Sequence, residues 1–140
     1  MEVFFYGLFM DPVVLAKNGI EPKNLRKASL KDYALKIGQR ASLVPSTGET
    51  CYGILMTCDK YSLQTLYSDP SVLDYVPEEV TATTQTEEAI EALCYNLPPE
   101  MISGTNTEYA KSLYQLARQY DFPEDYLDHI KSFATGQPNG

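Results

Sequence analysis

The chain has 140 residues, 44% apolar and 21% charged, a balance that fits one globular domain with its own core. Nineteen acidic against eleven basic residues give a net charge of −8, which argues against coating DNA or RNA, where affinity comes from clustered lysine and arginine. No stretch approaches the roughly 18 apolar residues of a membrane-spanning helix. The apolar start, Met1 to Phe5, contains Glu2 and no basic segment, so it reads as a buried strand rather than a leader peptide.

The first predicted strand runs from Glu2 to Tyr6 and stops at Gly7. Asp11-Pro12 then opens a short helix, Pro12 to Lys17, with Asp11 as its N-cap and Pro12 in the first turn. A glycine loop before a helix start offers backbone N–H groups to an anion. Lys17 to Arg40 carries seven of the eleven basic residues, a positive rim that draws anionic small molecules or, more simply, a solvated strand face. Within it, Ala28 and Leu30, then Tyr33, Leu35 and Ile37, alternate with a change of phase that predicts a bent strand bulged near Asp32. Ala41 to Val44 reads as a short strand ended by Pro45, Ser46 to Glu49 as a turn, and Thr50 to Thr57 as the next strand.

Asp59 is placed to cap a helix reaching about Tyr67, which Ser68-Asp69-Pro70-Ser71 breaks. Strands Val76 to Thr86 and Ala89 to Leu97 follow, close enough for a hairpin. From Thr105 the period becomes helical: Thr105 to Glu108 matches a capping box, Tyr109 to Tyr120 an amphipathic face, and a second helix restarts at Pro123. Residues 135–140 read as a flexible tail behind a single domain over 1–134. The expected class is α+β: a mixed, strongly curved sheet or small β-barrel of about six strands with flanking short helices.

The chemistry is bounded by one histidine and three cysteines. His129 reads as a surface residue in the last turn of a helix, and Cys51, Cys58 and Cys94 as reduced, buried thiols of a cytoplasmic protein. No metal-ligand cluster and no phosphate-cradling glycine motif occurs, so no metal and no cofactor is expected. Any catalysis rests on carboxylates, tyrosines and backbone amides.

Read in order, several segments resemble the γ-glutamylcyclotransferase-like family. They are Tyr6-Gly7-Leu8-Phe9-Met10-Asp11-Pro12 followed by Leu15; Arg40-Ala41-Ser42-Leu43-Val44-Pro45 with Gly48; Gly53; and Ser103 to Tyr109 with Ala117-Arg118 and Phe122 to Tyr126. The resemblance spans roughly residues 3 to 133. It implies a small mixed barrel and an intramolecular reaction. The α-amine of a γ-glutamyl group attacks its own γ-carbonyl, releasing an amine and leaving 5-oxoproline. Such a reaction needs a folded substrate, a base and oxyanion donors.

By the same resemblance, Tyr6, Gly7, Leu8, Phe9, Tyr75 and Tyr109 would contact a small anionic γ-glutamyl-type ligand. Leu8 stands where the family's loop has a hydroxyl. The family's catalytic glutamate falls, counting back seven positions from Tyr75, on Ser68. Serine is no base at neutral pH, and its neighbour Asp69 is the candidate carboxylate, with Glu78 and Glu79 behind it. Three functions therefore stand: a cyclotransferase, a ligand-binding module on the same fold without turnover, and a different amide chemistry on the same scaffold. The partners expected are a small molecule, no nucleic acid and no membrane, with the chain a monomer or homodimer.

Overall fold

The computed structural model describes residues 1–135, and the predicted tail beyond Thr135 lies outside them. Its elements are β1 (Glu2–Phe5), α1 (Pro12–Lys17), β2 (Lys23–Ile37), β3 (Ala41–Thr57), α2 (Lys60–Leu66), β4 (Val76–Thr84), β5 (Ala89–Asn96), α3 (Thr107–Gln119) and α4 (Glu124–Ala134). Short 3₁₀ turns cover Leu8–Met10 and Pro99–Met101. The strands close into a barrel in the order β1-β3-β2-β4-β5. The β5–β1 seam that closes it is parallel, with Val3 opposite Leu93, while the other pairings are antiparallel.

Local signals account for much of this. Asp11 accepts from the Val13 amide at 2.9 Å and Asp59 from the Ser62 amide at 3.1 Å, so both predicted N-caps hold. The register between β2 and β3 shifts from Lys31 to Tyr33, with Asp32 at a positive φ of 66°, which is the bulge the change of phase predicts.

Among the described residues five strands form rather than about six, and the difference has a physical explanation. Ser46 to Glu49 does not make a turn: β3 runs unbroken through Pro45 and Gly48. Pro45 pairs with Tyr33 beside the β2 bulge. The Gly48 amide donates to the Asp32 carboxylate at 2.9 Å, with Gly48 at a φ of 88°. Turn-forming residues are spent on a matched distortion of two long strands, and the chain reverses instead at Gly38–Arg40.

Two helix details also differ from the sequence reading. The cap of α3 is Asn106, whose Oδ1 accepts from the Tyr109 amide at 3.0 Å, one position after the Thr105 of the capping-box reading. His129 is not in a last turn: it lies half-buried in mid-α4, and its Nε2 donates to the Leu35 carbonyl of β2 at 2.7 Å. It fastens α4 to the barrel, helped by the Tyr52–Tyr126 edge contact at 5.1 Å.

Gly53 meets a tight constraint, since a Cβ there would stand 2.3 Å from the Phe5 carbonyl oxygen, so β1 lies close against β3. All three cysteines are buried and unpaired. Burial pushes the Cys51 thiol up to about 12 and Cys58 to about 11, which leaves them inert at neutral pH. Among the described residues no helix is long and apolar enough to cross a membrane.

Candidate functional site

A cavity of about 300 Å³ opens where β1 runs into its glycine loop. Its floor and one wall are the chain from Phe4 to Phe9. The facing walls come from the β2–β3 turn (Gln39, Arg40, Ala41), the loop after α2 (Tyr67, Ser71, Val72, Tyr75), Tyr95 on β5 and Tyr109 at the start of α3. Six of the predicted contact residues, Tyr6, Gly7, Leu8, Phe9, Tyr75 and Tyr109, thus meet in one place, although 101 positions separate Leu8 from Tyr109.

The loop is more occupied than a free anion cradle would be. Leu8 to Met10 close a 3₁₀ turn in which the Met10 amide donates to Gly7 O at 3.0 Å and the Asp11 amide to Leu8 O at 3.1 Å. The Leu8 amide donates to the Tyr109 hydroxyl at 3.2 Å, and the Asp11 carboxylate already caps α1. Gly7 is extended rather than left-handed, and its need for glycine is one of space. A Cβ would meet the Tyr109 hydroxyl.

Tyrosines supply most of the remaining wall. Tyr67 and Tyr95 stack with ring centroids 3.8 Å apart and planes 7° apart. The Tyr6 hydroxyl donates to the Tyr95 carbonyl at 2.7 Å, and the Tyr75 hydroxyl donates to the Ala41 carbonyl. Burial raises the pKa of Tyr6, Tyr67 and Tyr75 and pushes Tyr109 up to about 12. All four are therefore neutral at physiological pH and serve as hydrogen-bond partners and apolar surface, not as bases.

The carboxylates predicted for the chemistry stand elsewhere. Ser68 is exposed, with its hydroxyl donating to Thr65 O at 2.7 Å, and it does not line the cavity. Asp69 is exposed as well. Its Oδ1 accepts from the Ser71 hydroxyl at 2.7 Å and the Ser71 amide at 2.9 Å, and these bonds hold its carboxyl below the usual range. Glu79 lies in a separate surface groove with Glu2 and Glu91, and Glu78 lies beside Tyr33. Among the described residues no acidic side chain lines the cavity. Ser71 does line it, and so joins Asp69 to the interior by one hydrogen bond.

Sequence reasoning missed Tyr67, Tyr95, Arg40 as a wall residue, and Ser71. Tyr67 and Tyr95 sit in the expected helix end and strand, where periodicity alone does not say which tyrosine faces a cavity. Arg40 was legible as the end of a basic run and the start of the Arg40–Pro45 segment of the resemblance, but not as a cavity residue.

The comparisons with known proteins bear on the family and the fold. The family model described as gamma-glutamyl cyclotransferase, AIG2-like, matches residues 3–117. Comparison with curated proteins by sequence gives no match. Among solved structures, one called a gamma-glutamyl cyclotransferase superposes with a TM-score of 0.76 at 21% identity, covering 99% of this chain and 89% of that one. YkqA from Bacillus subtilis gives 0.78 at 21% identity, covering all of this chain but 56% of its own. A yeast cyclotransferase described as specific to glutathione gives 0.64 at 13% identity, covering 99% of this chain and 97% of that one. At such identities these structures speak for the fold.

Proposed function

The chain belongs to the gamma-glutamyl cyclotransferase, AIG2-like family, and from that premise we propose that its cavity binds a γ-glutamyl amine or peptide and cyclises it slowly to 5-oxoproline. The observation that carries the proposal is the meeting of the Tyr6–Phe9 loop, Tyr75 and Tyr109 around one cavity of about 300 Å³, room for a folded small ligand. Folding the γ-glutamyl group there brings its amine onto its own carbonyl carbon. The new C–N bond forms as the bond to the leaving amine breaks. Protons leave the attacking nitrogen and arrive on the departing one.

Asp69 is the proton acceptor in this reading, and it works through Ser71. The ligand's ammonium gives its proton to the Ser71 oxygen as the Ser71 hydroxyl proton, already 2.7 Å from Asp69, passes to the carboxylate. A carboxyl held below its usual pKa is a poor base, so slow turnover is the expected result. The Tyr109 hydroxyl accepts from Leu8 and keeps its own proton to offer the developing oxyanion.

A second reading is favoured by one specific observation, the lack of any acidic side chain on the cavity wall among the described residues. In it the same ligand binds and is not turned over. Measuring 5-oxoproline release together with ligand binding separates the two. The expected result is slow release that falls tenfold or more, by about 10²-fold at most, in Asp69→Asn and in Ser71→Ala with binding retained. Binding without release supports the second reading, and neither binding nor release overturns both.

A further inference from the structure

We infer that Arg40 is the carboxylate anchor of the cavity, so that the site selects ligands bearing a carboxylate over the same skeleton without one. This deepens the reading above and rests on it for the γ-glutamyl skeleton. The preference for a carboxylate rests on Arg40 alone.

Among the described residues Arg40 is the one ionised side chain on a wall otherwise made of tyrosine, apolar side chains, backbone and the uncharged polar Gln39 and Ser71. A carboxylate entering such a space loses water and needs a cation or several donors in return. The loop supplies few donors and no charge, because the Leu8 amide is given to Tyr109 and the Met10 and Asp11 amides are closed within the turn, which leaves those of Gly7 and Phe9. Arg40 has donors to spare. Its Nη1 donates to Asp74 at 3.0 Å, while a guanidinium carries five N–H groups in a planar fork that suits a carboxylate.

The anchor is also held in place. The Gly38 amide donates to the Arg40 carbonyl at 3.1 Å, and the Gln39 amide donates to Ser103 O at 2.8 Å. The Asn106 side chain donates to Gln39 O at 3.1 Å, so the turn is tied to the start of α3. A Cβ on Gly38 would fall 2.5 Å from Ser103 O, so the two segments touch backbone to backbone. On the side chain, Asp74 grips one nitrogen from the more exposed flank, and the Tyr75 ring lies with its centroid 5.9 Å from the guanidinium carbon. The side chain of Arg40 retains 31% exposure, so solvent weakens the attraction without removing it.

The test uses two ligand pairs that differ by one carboxylate: 5-oxoproline against 2-pyrrolidinone, and phenylacetate against phenylacetamide. Binding is followed by calorimetry or by NMR shifts on the wild-type chain, Arg40→Gln and Asp74→Asn. The wild type is expected to favour the carboxylate member by about tenfold, the low end for a charge-assisted bond at a partly exposed site. Arg40→Gln should bring the preference close to parity and leave the neutral ligand's affinity unchanged. Asp74→Asn should keep the preference, because it releases the clamp and retains the cation. If Arg40 only braces the loops, Asp74→Asn will behave like Arg40→Gln and neutral ligands will weaken too, which overturns the inference. No Arg40-dependent preference in either pair, an absence of binding included, overturns it as well. If phenylacetate shows the preference and 5-oxoproline does not bind, Arg40 stands as anchor and the γ-glutamyl reading falls.

Discussion

A Cβ on Gly7 would stand 2.4 Å from the hydroxyl oxygen of Tyr109, the same oxygen that accepts the Leu8 amide at 3.2 Å. The loop and the first turn of α3 are thus fitted to each other through a single atom. Tyr109 is half-buried in this arrangement, and Tyr6, Tyr67 and Tyr75 gather nearby in the same cavity.

This contact predicts a coupled pair of substitutions. Gly7→Ala forces the Tyr109 ring aside and should weaken ligand binding about tenfold or more, with a stability loss of about 1–3 kcal/mol from overpacking. Tyr109→Phe removes the offending oxygen at the expense of the Leu8 hydrogen bond, about 1 kcal/mol. The double variant should be more stable than the sum of the single effects allows. A thermodynamic cycle from urea unfolding checks this, and strict additivity would show that the two residues do not meet.

The place of the base predicts an asymmetry between two serines three positions apart. Ser71 lines the cavity and Ser68 does not. Ser71→Glu should put a carboxylate on the wall and raise 5-oxoproline release, toward the roughly 10²–10⁴-fold of positioned general-base catalysis. The nearby Asp69 charge helps, because a like charge raises the pKa of the new group. Ser68→Glu, although it occupies the family's glutamate by counting, should give no comparable gain. A gain from position 68 alone would mean that the loop after α2 rearranges when ligand binds.

The acid dependence of stability can be read from Glu2. Burial pushes its carboxyl up, but hydrogen bonds from Thr57, at 2.6 Å, and from Arg26 more than offset this and leave it below the ordinary value. A depressed folded-state pKa means that the stabilisation is present above the unfolded pKa of about 4.3 and is lost as pH falls through the folded value. Glu2→Gln should therefore cost about 1 kcal/mol at pH 6, a modest figure because the Glu2 side chain keeps 27% exposure. The gap between variant and wild type should narrow as pH falls below the unfolded value. Urea midpoints measured from about pH 6 downwards check it, and a gap independent of pH would mean that the side chain acts through packing alone.

Features decided by a few neighbouring residues were legible in the sequence. The caps at Asp11 and Asp59 depend on amides two or three positions away. The bulge at Asp32 shows as a slip in alternation within one strand. Even here locality has limits: Pro45 to Gly48 look like a turn, and only their pairing with the β2 bulge makes them part of a continuous strand. The ordered resemblance from Tyr6 to Tyr126 also carried the family, because it draws on segments spread along the chain.

What the cavity holds was decided by tertiary structure. Closing the barrel through Val3 and Leu93, and laying α3 across the glycine loop, brings residues from five separate stretches around one space. Spacing along the chain says nothing about which of eleven tyrosines face inward, or that Ser71 rather than Asp69 reaches the wall. Those outcomes depend on where a loop lands after long-range strands pair, a balance of packing across the whole barrel rather than a preference of any local segment.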